Sequence, residues 1–414
     1  MDLYQHAKTL TLFLSIGAAL LVMCSGGPAR AASKTLVVEA GASARANVPM
    51  CVELPAGTSK ASMTLGGKTV PCQVADGRLW WLLEKLDAGK SCTYDVEFGS
   101  ASAVAWGVDI KQGKEKLDIT IGGKPFTSYV FAPKTVGKHV LRRPYFFPVL
   151  GPGQVAMTRP FPIVQENLPK NVATDHPHHT SLYVAHGAVN GVDNWSIGSK
   201  AGYMVHKAFE CVESGPVVGM FRQTLDWTSV DKKPVMAETR TVRIYAQPDT
   251  ARMIDLEIVC EAKYGKVLFG DTKEGGMCAV RTRPEFRPDG KGNNGRVINS
   301  EGDSAKAAWG KKATWVDSSG EIDSKRLGLA IFDGPGNLRH PTTWHARTYG
   351  LITANPFGLS HFLRGQKKRG DFTLEAGKTQ TWRYRVYFHA GDEKQARVAD
   401  RYADYAAPPK ATWK

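Results

Sequence analysis

The segment IDLEIVCE, residues 254–261, alternates apolar side chains with mostly charged ones. Successive side chains of a β-strand point to opposite faces of the sheet, so this segment would present one apolar and one polar face. The segment WRYRVYFH, residues 382–389, repeats the period of two. Such alternation is typical of antiparallel sheets that bury one face. The two segments therefore predict a protein of the all-β class.

Further segments extend this pattern along the chain. Strands are also predicted at 117–121, 128–131, 217–226, 238–246, 266–270, 277–282 and 326–332. Because one sheet cannot hold so many strands without splitting into packed layers, we expect a large antiparallel β-supersandwich over residues 108–406. Helical periodicity is predicted only near the end, where Asp392 would cap a short C-terminal helix that stops at Pro408.

Residues 32–103 are predicted to form a separate, small β-sandwich. Short runs of strand-forming residues are separated there by Gly, Pro, Asp and Ser, at 36–38, 50–54, 69–74, 79–83 and 92–98. A chain of 414 residues is too long for one small core, which also favours two domains.

Residues 1–31 have the pattern of a secretory signal peptide. Lys8 precedes an apolar core at 10–23, and Ala29-Arg30-Ala31 fits a cleavage site. Lipidation at Cys24 is the second interpretation. No later run approaches the ~18 apolar residues of a membrane span. We therefore expect a periplasmic or secreted protein with no transmembrane segment after the signal.

The charge of the chain restricts its partners. The formal net charge is +15, but the positive residues are spread along the chain rather than gathered in a dense patch. Without such a patch or a recognition motif, nucleic acid is not an expected partner. A carbohydrate or another small polar substrate is expected instead, and simple solubility is an equally good explanation of the charge.

The segment DHPHHTSLYVAHGAVNGVDNW, residues 175–195, contains four of the eleven histidines. Imidazole titrates near neutral pH, binds metals and both donates and accepts hydrogen bonds. The segment therefore predicts one wall of an active or binding site, although a polar loop with locally satisfied histidines is the alternative. Pro177 favours extended backbone at His176, and the pair His176 and His178 could then hold a divalent metal. Whether a metal is bound stays open.

Three other segments carry candidate site residues. Arg143 and Tyr145 lie in an arginine- and aromatic-rich run suited to a sugar or a carboxylate. Asp271 and Glu274 lie in a glycine-bounded loop that could hold a general base over a cleft. In the third segment His345 and Arg347 would share one face of an extended chain, with Asn355 following. For each segment, ordinary surface residues are the competing interpretation.

The runs RPYFFPVLGPG, DHPHHTSLYVAHGAVNGVDNW, GDTKEGGMCAVR and WHARTYGLITANPFG resemble the exported PmoA-like bacterial family. The similarity covers about 108–406. The family label, methane oxygenase PmoA, implies a subunit of a membrane copper monooxygenase, whose helix bundle this sequence lacks. A large β-sandwich with inward histidines and carboxylates also resembles, in architecture only, the galactose-mutarotase-like supersandwich proteins, which implies His and carboxylate chemistry on sugars.

These observations favour an exported carbohydrate-active protein, an epimerase, lyase or hydrolase that uses His and carboxylate acid–base chemistry. The alternatives are a non-catalytic glycan-binding module and a histidine-bound copper or other metal site of the oxidase type. The predicted catalytic residues are His176, His178, Asp271, Glu274 and His345. The predicted substrate-binding residues are Arg143, Tyr145, His179, Asn190, Asp193, Trp195, Arg347 and Asn355.

Overall fold

The computed structural model describes residues 33–101, 107–161, 175–289, 292, 294–363 and 369–414. The expected signal peptide and Cys24 lie outside these residues. Within them, antiparallel strands dominate and the helices are short. The prediction of an all-β fold with a short C-terminal helix is therefore confirmed.

The N-terminal strands form a small two-layered unit. They are β1 (Ser33–Glu39), β2 (Arg45–Glu53), β3 (Ala61–Leu65), β4 (Lys68–Val70), β5 (Cys72–Ala75), β6 (Arg78–Leu86) and β7 (Ser91–Phe98). β2, β6 and β5 make a three-stranded sheet, and β1, β7, β3 and β4 belong to a second sheet. Leu36, Trp81 and Val96 are fully buried in one shared core, as expected for a β-sandwich.

The second sheet is completed by the far end of the chain. A last strand, β27 (Lys410–Trp413), pairs antiparallel with β1, with Leu36 opposite Trp413. The indole of Trp413 donates a hydrogen bond to the carbonyl of Glu53 (2.9 Å) and meets Phe98 edge to face. Residues 410–413 therefore form the outer strand of the second sheet of the N-terminal unit.

The larger unit contains the remaining strands. They are β8 (Val108–Gln112), β9 (Lys116–Ile121), β10 (Lys124–Val130), β11 (Lys134–Val136), β12 (His139–Leu141), β13 (Tyr145–Val149), β14 (Leu182–His186), β15 (Tyr203–Glu213), β16 (Val218–Thr228), β17 (Pro234–Tyr245), β18 (Ala251–Glu261), β19 (Val267–Phe269), β20 (Gly275–Arg281), β21 (Arg296–Asn299), β22 (Trp315–Ile322), β23 (Lys325–Asp333), β24 (Leu351–Ala354), β25 (Phe372–Leu374) and β26 (Thr379–Ala390).

Two large antiparallel sheets share the core of this unit. One has the order β24-β20-β14-β13-β10-β9-β8, and the other β15-β16-β17-β18-β26-β23-β22-β21. Side chains from both sheets meet between them, for example Phe126 with Phe388, whose ring centroids are 6.3 Å apart. The short pairs β11-β12 and β19-β25 lie outside the two large sheets.

The alternation of apolar and polar residues predicts which side chains are buried in β18 better than in β26. In β18, Ile254 and Ile258 are fully buried, while Asp255 and Glu257 are partly exposed. In β26, Arg385 and His389 are also buried, although the pattern predicts an exposed face there. Arg385 forms an ion pair with Asp255 of the neighbouring strand β18 (2.6 Å), and Nε2 of His389 is hydrogen-bonded to Asp317 of β22 (2.7 Å), so polar partners make this burial tolerable.

The helices are short. Besides three single turns of 3₁₀ helix, the described residues contain α1 (Leu359–Phe362) and α2 (Val398–Ala406). The carboxylate of Asp392 accepts hydrogen bonds from the backbone of Lys394 and Gln395, so it caps a turn before α2 rather than α2 itself. In the described part of the chain, we find no helix of the length and hydropathy needed to cross a membrane.

Candidate active site

The candidate site is formed by the segments that precede three neighbouring strands of the seven-stranded sheet, β14, β20 and β24. The turn 175–179 comes shortly before β14, the loop 271–274 directly before β20, and the segment 344–349 before β24. These are three of the segments in which the sequence analysis placed candidate residues. Because β14 and β20 are antiparallel, their preceding segments start at opposite ends of the sheet. Contacts between the segments bring them together, such as Arg281 with His179 (3.1 Å) and His345 with the carbonyl of Lys273 (2.8 Å).

Three side chains form the centre of this site. His178, His179 and Glu274 each offer a ring nitrogen or carboxylate oxygen, and these atoms all lie within 4.8 Å of one another. His178 and Glu274 are partly exposed, whereas His179 is 1 % exposed. The expected convergence of the histidine turn and the carboxylate loop is therefore present, with Glu274 as the carboxylate involved.

Buried arginines hold the histidine turn. Arg159 donates hydrogen bonds to the carbonyl oxygens of His176 (2.9 Å) and His179 (3.2 Å). Arg159 and Arg281 both form ion pairs with Asp175, at 2.6 and 2.8 Å. The turn is therefore fixed by charge-assisted hydrogen bonds rather than left as a mobile loop.

The backbone of His176 differs from the prediction. Its φ is +43°, in the left-handed region, whereas Pro177 favours extended backbone at this position. The amide of His179 donates to the carbonyl of His176 (2.9 Å), so the closed turn outweighs the local preference. The His176 ring stacks on His179 at a centroid distance of 4.8 Å and is not one of the three groups at the centre.

The hydrogen bonding of His179 argues against a metal at the centre. Arg281 donates to Nδ1 of His179 (3.1 Å), and a guanidinium can only donate, so Nδ1 carries the lone pair. In a neutral imidazole the proton is then on Nε2, and neither nitrogen is free to ligate a cation. Among the described residues, His176 of the expected metal pair is not part of the group of close ligand atoms, which contains His178, His179 and Glu274. The residues present therefore do not fit a metal site well.

In the carboxylate loop, residues 271–274, Asp271 holds the backbone in place and Glu274 faces the histidines. The carboxylate of Asp271 accepts hydrogen bonds from the backbone amides of Ser360 (3.1 Å) and Gly370 (2.8 Å). The side chain of Asn355 donates to the carbonyl oxygens of Thr272 and Lys273 and accepts from the amide of Phe357. Asp271 and Asn355, predicted as a base and a substrate ligand, thus have their polar atoms engaged in holding the loop.

Glu274 is left to face the histidines. Its carboxylate forms an ion pair with Lys273 (3.0 Å), and its side chain is 40 % exposed. Burial alone would raise the pKa of Glu274, but the hydrogen bond from Lys273 and the nearby His345 hold the pKa below its ordinary value. Glu274 is therefore ionised at neutral pH and able to accept a proton.

The neighbouring histidines are neutral at the same pH. Burial, together with the positive charge of Arg143, lowers the pKa of His178 to about 4. Burial also lowers the pKa of His345 to about 4, against the charge of Glu274. Nδ1 of His345 donates a hydrogen bond to the carbonyl of Lys273 (2.8 Å), which leaves its Nε2 as the acceptor. An ionised carboxylate beside neutral imidazoles is an arrangement suited to proton transfer.

Several predicted substrate ligands lie beneath the site. Trp195 is 1 % exposed and packs against His179 and Tyr183, so it supports the histidines and offers no free ring face to a substrate. Arg143 is buried, donates to the carbonyl oxygens of Trp195 (2.8 Å) and His178, and lies over the Tyr183 ring. Tyr145 is 5 % exposed, in β13.

Two further candidates stabilise turns. The side-chain oxygen of Asn190 accepts from the amide of Leu268 (2.6 Å), and its amide group donates to the carbonyl of Lys266. The carboxylate of Asp193 accepts from the amides of Trp195 (2.8 Å) and Ser196 (2.9 Å). Short polar side chains commonly close turns in this way, and here they fix the segment that carries Trp195.

The outer wall of the site is aromatic and positively charged. The rings of His176, His179 and Tyr349 are nearly parallel, with interplanar angles of at most 14°. Arg347 is partly exposed and lies 5.3 Å from the centre of the Tyr349 ring, and Arg281 lies 4.7 Å from it. The outer side of the site therefore combines stacked rings with one partly exposed cation, Arg347, because Arg281 is buried and paired with Asp175.

Sequence reasoning missed Arg159, Arg281 and Tyr349. Arg281 ends β20, whose other residues carry no charge, and a lone arginine in such a strand must find a carboxylate or carbonyl partner when it is buried. That signal could have pointed to Arg281. Arg159 and Tyr349 lie among other arginines and aromatic residues and carry no comparable signal.

Comparison with known proteins identifies a family but no established activity. The model of a family of unknown function, DUF6807, matches residues 116–403. The chain belongs to this family. The comparisons do not support the expected membership of the PmoA-like family. No curated protein matches the chain.

Two solved structures are distantly similar to this DUF6807 protein. An α-mannosidase from Enterococcus faecalis V583 aligns with a TM-score of 0.40 and 10 % identity, over 92 % of this chain and 46 % of that one. A GalM/aldose epimerase homologue from C. elegans aligns with a TM-score of 0.28 and 8 % identity, over 70 % of this chain and 99 % of that one. This chain thus spans about half the length of the mannosidase.

Proposed function

We propose that this protein is a carbohydrate-active enzyme that removes a proton from a sugar carbon, as an epimerase or a lyase does. The observation that carries the proposal is the meeting of Glu274 with His178 and His179 inside 4.8 Å. One ionised carboxylate beside two neutral imidazoles supplies a base and hydrogen-bond donors around one small volume. The exposed ring of His176 and the partly exposed ring of Tyr349 support a sugar as substrate, because the C–H face of a sugar ring packs on such rings.

The roles follow from the protonation states. Glu274 accepts the proton from a carbon next to a carbonyl or carboxylate group of the substrate. The electron pair of the broken C–H bond forms a C=C bond, and the π electrons of the C=O group move onto its oxygen, giving an enolate. His178, neutral at physiological pH, donates a hydrogen bond to that oxygen as its negative charge grows. An epimerase then returns the proton to the opposite face, whereas a lyase expels a leaving group.

Hydrolysis by a pair of carboxylates has less support. Such enzymes need two free carboxyl groups that flank the scissile bond. Among the described site residues, Asp271 is bound to backbone amides and Asp175 to two arginines, which leaves Glu274 as the carboxylate that faces the histidines. The geometry therefore favours proton abstraction over the hydrolase alternative.

The test is turnover on a panel of acidic and neutral glycans. Deuterium exchange from solvent into recovered substrate would reveal an epimerase, and an unsaturated product a lyase. Glu274→Gln and His178→Ala should each lower kcat/KM by about a hundredfold or more. Glu375→Gln and His139→Ala are the matched controls, since both residues lie away from the site and have no side-chain partner within the described ranges.

Two outcomes would contradict the proposal. Tight glycan binding without turnover or exchange would make the protein a binding module. Turnover that requires one tightly bound transition metal per chain would favour the oxidase-type alternative and would overturn the tautomer assigned to His179.

A further inference from the structure

A cavity lies on the outer side of the candidate site. Its volume is about 260 Å³, and its lining residues are Lys306, Trp309, Ala346, Arg347 and Thr348. The ring of Trp309 meets that of His345 at a centroid distance of 6.5 Å. His345 in turn is hydrogen-bonded to the carbonyl of Lys273, next to Glu274. The cavity is therefore separated from the proposed base by one side chain.

The charge of the cavity is positive and not neutralised by the protein. Neither Lys306 nor Arg347 has a carboxylate within 4 Å among the described residues. Asp289, at the rim, accepts a hydrogen bond from Thr348 (3.3 Å) and is itself paired with Arg287 (3.0 Å). Two cations without partners at one cavity are suited to an anionic ligand.

The cavity also has an aromatic wall and a fixed frame. Trp309 is held edge to face against Phe362 (5.3 Å), and its buried Nε1 has no hydrogen-bond partner in the described part of the chain. The backbone amide of Arg347 donates to the carbonyl of Leu351 (2.8 Å), and that of Gly350 to the carbonyl of Arg347 (3.0 Å), which closes a tight hairpin. The backbone of Arg347 is therefore fixed, and its guanidinium lies over the Tyr349 ring.

We propose that this cavity binds the acidic group of an anionic sugar whose neighbouring ring or carbon lies at Glu274. Arg347 and Lys306 would hold the carboxylate or sulfate, and Trp309 would pack on the ring that carries it. This inference rests on the proposed function for its orientation. It adds a substrate class, and it adds Lys306 and Trp309 to the residues that recognise the substrate.

Binding can be measured without turnover in a Glu274→Gln background. Isothermal titration would use a short oligogalacturonate, a sulfated galactose oligosaccharide and a neutral galactose oligosaccharide of equal length. Lys306→Ala and Arg347→Gln should each weaken the preferred anionic ligand roughly tenfold, because each removes a charge-assisted hydrogen bond. Binding of the anionic ligand should also weaken as salt rises. Lys378→Ala, an exposed lysine elsewhere, is the matched control and should leave the affinity unchanged.

The outcomes separate this inference from the proposed function. If the affinity for the anionic ligand depends on Lys306 and Arg347 but no glycan is turned over, the proposed anion site is supported and the catalytic proposal is wrong. If glycans are turned over while neither substitution changes KM, the catalytic proposal stands and the cavity fails. Equal binding of the neutral oligosaccharide, or no binding of either anionic ligand, would also overturn the inference. A preference for the sulfated ligand over the uronate would identify the anionic group as sulfate.

Discussion

Replacing Asp175 with asparagine tests how the histidine turn is held. Its side chain is 18 % exposed and forms ion pairs with Arg159 and Arg281, whose side chains are 2 % and 1 % exposed. The substitution would leave two buried guanidinium groups close together without a negative charge. Arg281 already contributes, after burial, to lowering the pKa of Arg159 to about 9. Removing one partner of a buried ion pair costs ~3–5 kcal/mol of unfolding free energy.

The loss should appear in urea unfolding followed by tryptophan fluorescence. With a slope of ~3 kcal/mol per molar urea, the midpoint should fall by about 1 M or more at neutral pH. Asp87→Asn, at an exposed ion pair with Lys85, is the control and should change stability by no more than about 0.5 kcal/mol.

The loss of stability caused by Asp175→Asn should also become smaller at low pH. Burial alone would raise the pKa of Asp175, but hydrogen bonds and the charges of Arg281 and Arg159 hold it well below its usual range. A carboxyl with a depressed folded-state pKa stabilises the protein above its unfolded pKa of ~3.9, and that stability is lost as pH falls through the folded value. The difference between wild type and variant should therefore stay constant down to about pH 4 and shrink below it. An unchanged midpoint at neutral pH would refute the account of the turn.

Three further outcomes are expected. Trp195→Ala should lower the unfolding free energy by ~3–5 kcal/mol in urea titration, because it empties a buried site rather than a binding surface. The acid limb of the pH profile of kcat/KM should lie near pH 4 or below rather than near 6.5, because the pKa of Glu274 is lowered and that of His178 is about 4. Removing residues 410–414 should raise the rate of amide hydrogen exchange in β1, which loses its outer partner strand, while exchange in β18 stays unchanged.

The fold class was predictable because side-chain alternation reports directly on which face of a strand is buried. Ile254 and Ile258 follow that rule. The rule does not account for Arg385, whose burial depends on Asp255 in the neighbouring strand β18. Nor does a local pattern reveal that β27 pairs with β1, since the partners are at opposite ends of the described chain. Pairing over such a distance is set by the whole fold.

The site was predictable as a set of segments but not residue by residue. Histidine density pointed to the turn, and the glycine-bounded loop pointed to Glu274. The sequence could not separate Glu274 from Asp271, because the difference is made by the amides of Ser360 and Gly370, about ninety residues away. For the same reason Trp195 was predicted to bind substrate, although tertiary packing buries it.

The pairing of β27 with β1 also has a consequence for biosynthesis. During translation, β1–β7 are synthesised before the residues of the larger unit. Until β27 is made, β1 is an unpaired edge strand of the sheet that contains β1, β7, β3 and β4. An unpaired edge is a template for association with other chains. The edge of β1 that Lys410–Trp413 covers in the finished protein therefore stays unpaired until the last residues of the chain have been made.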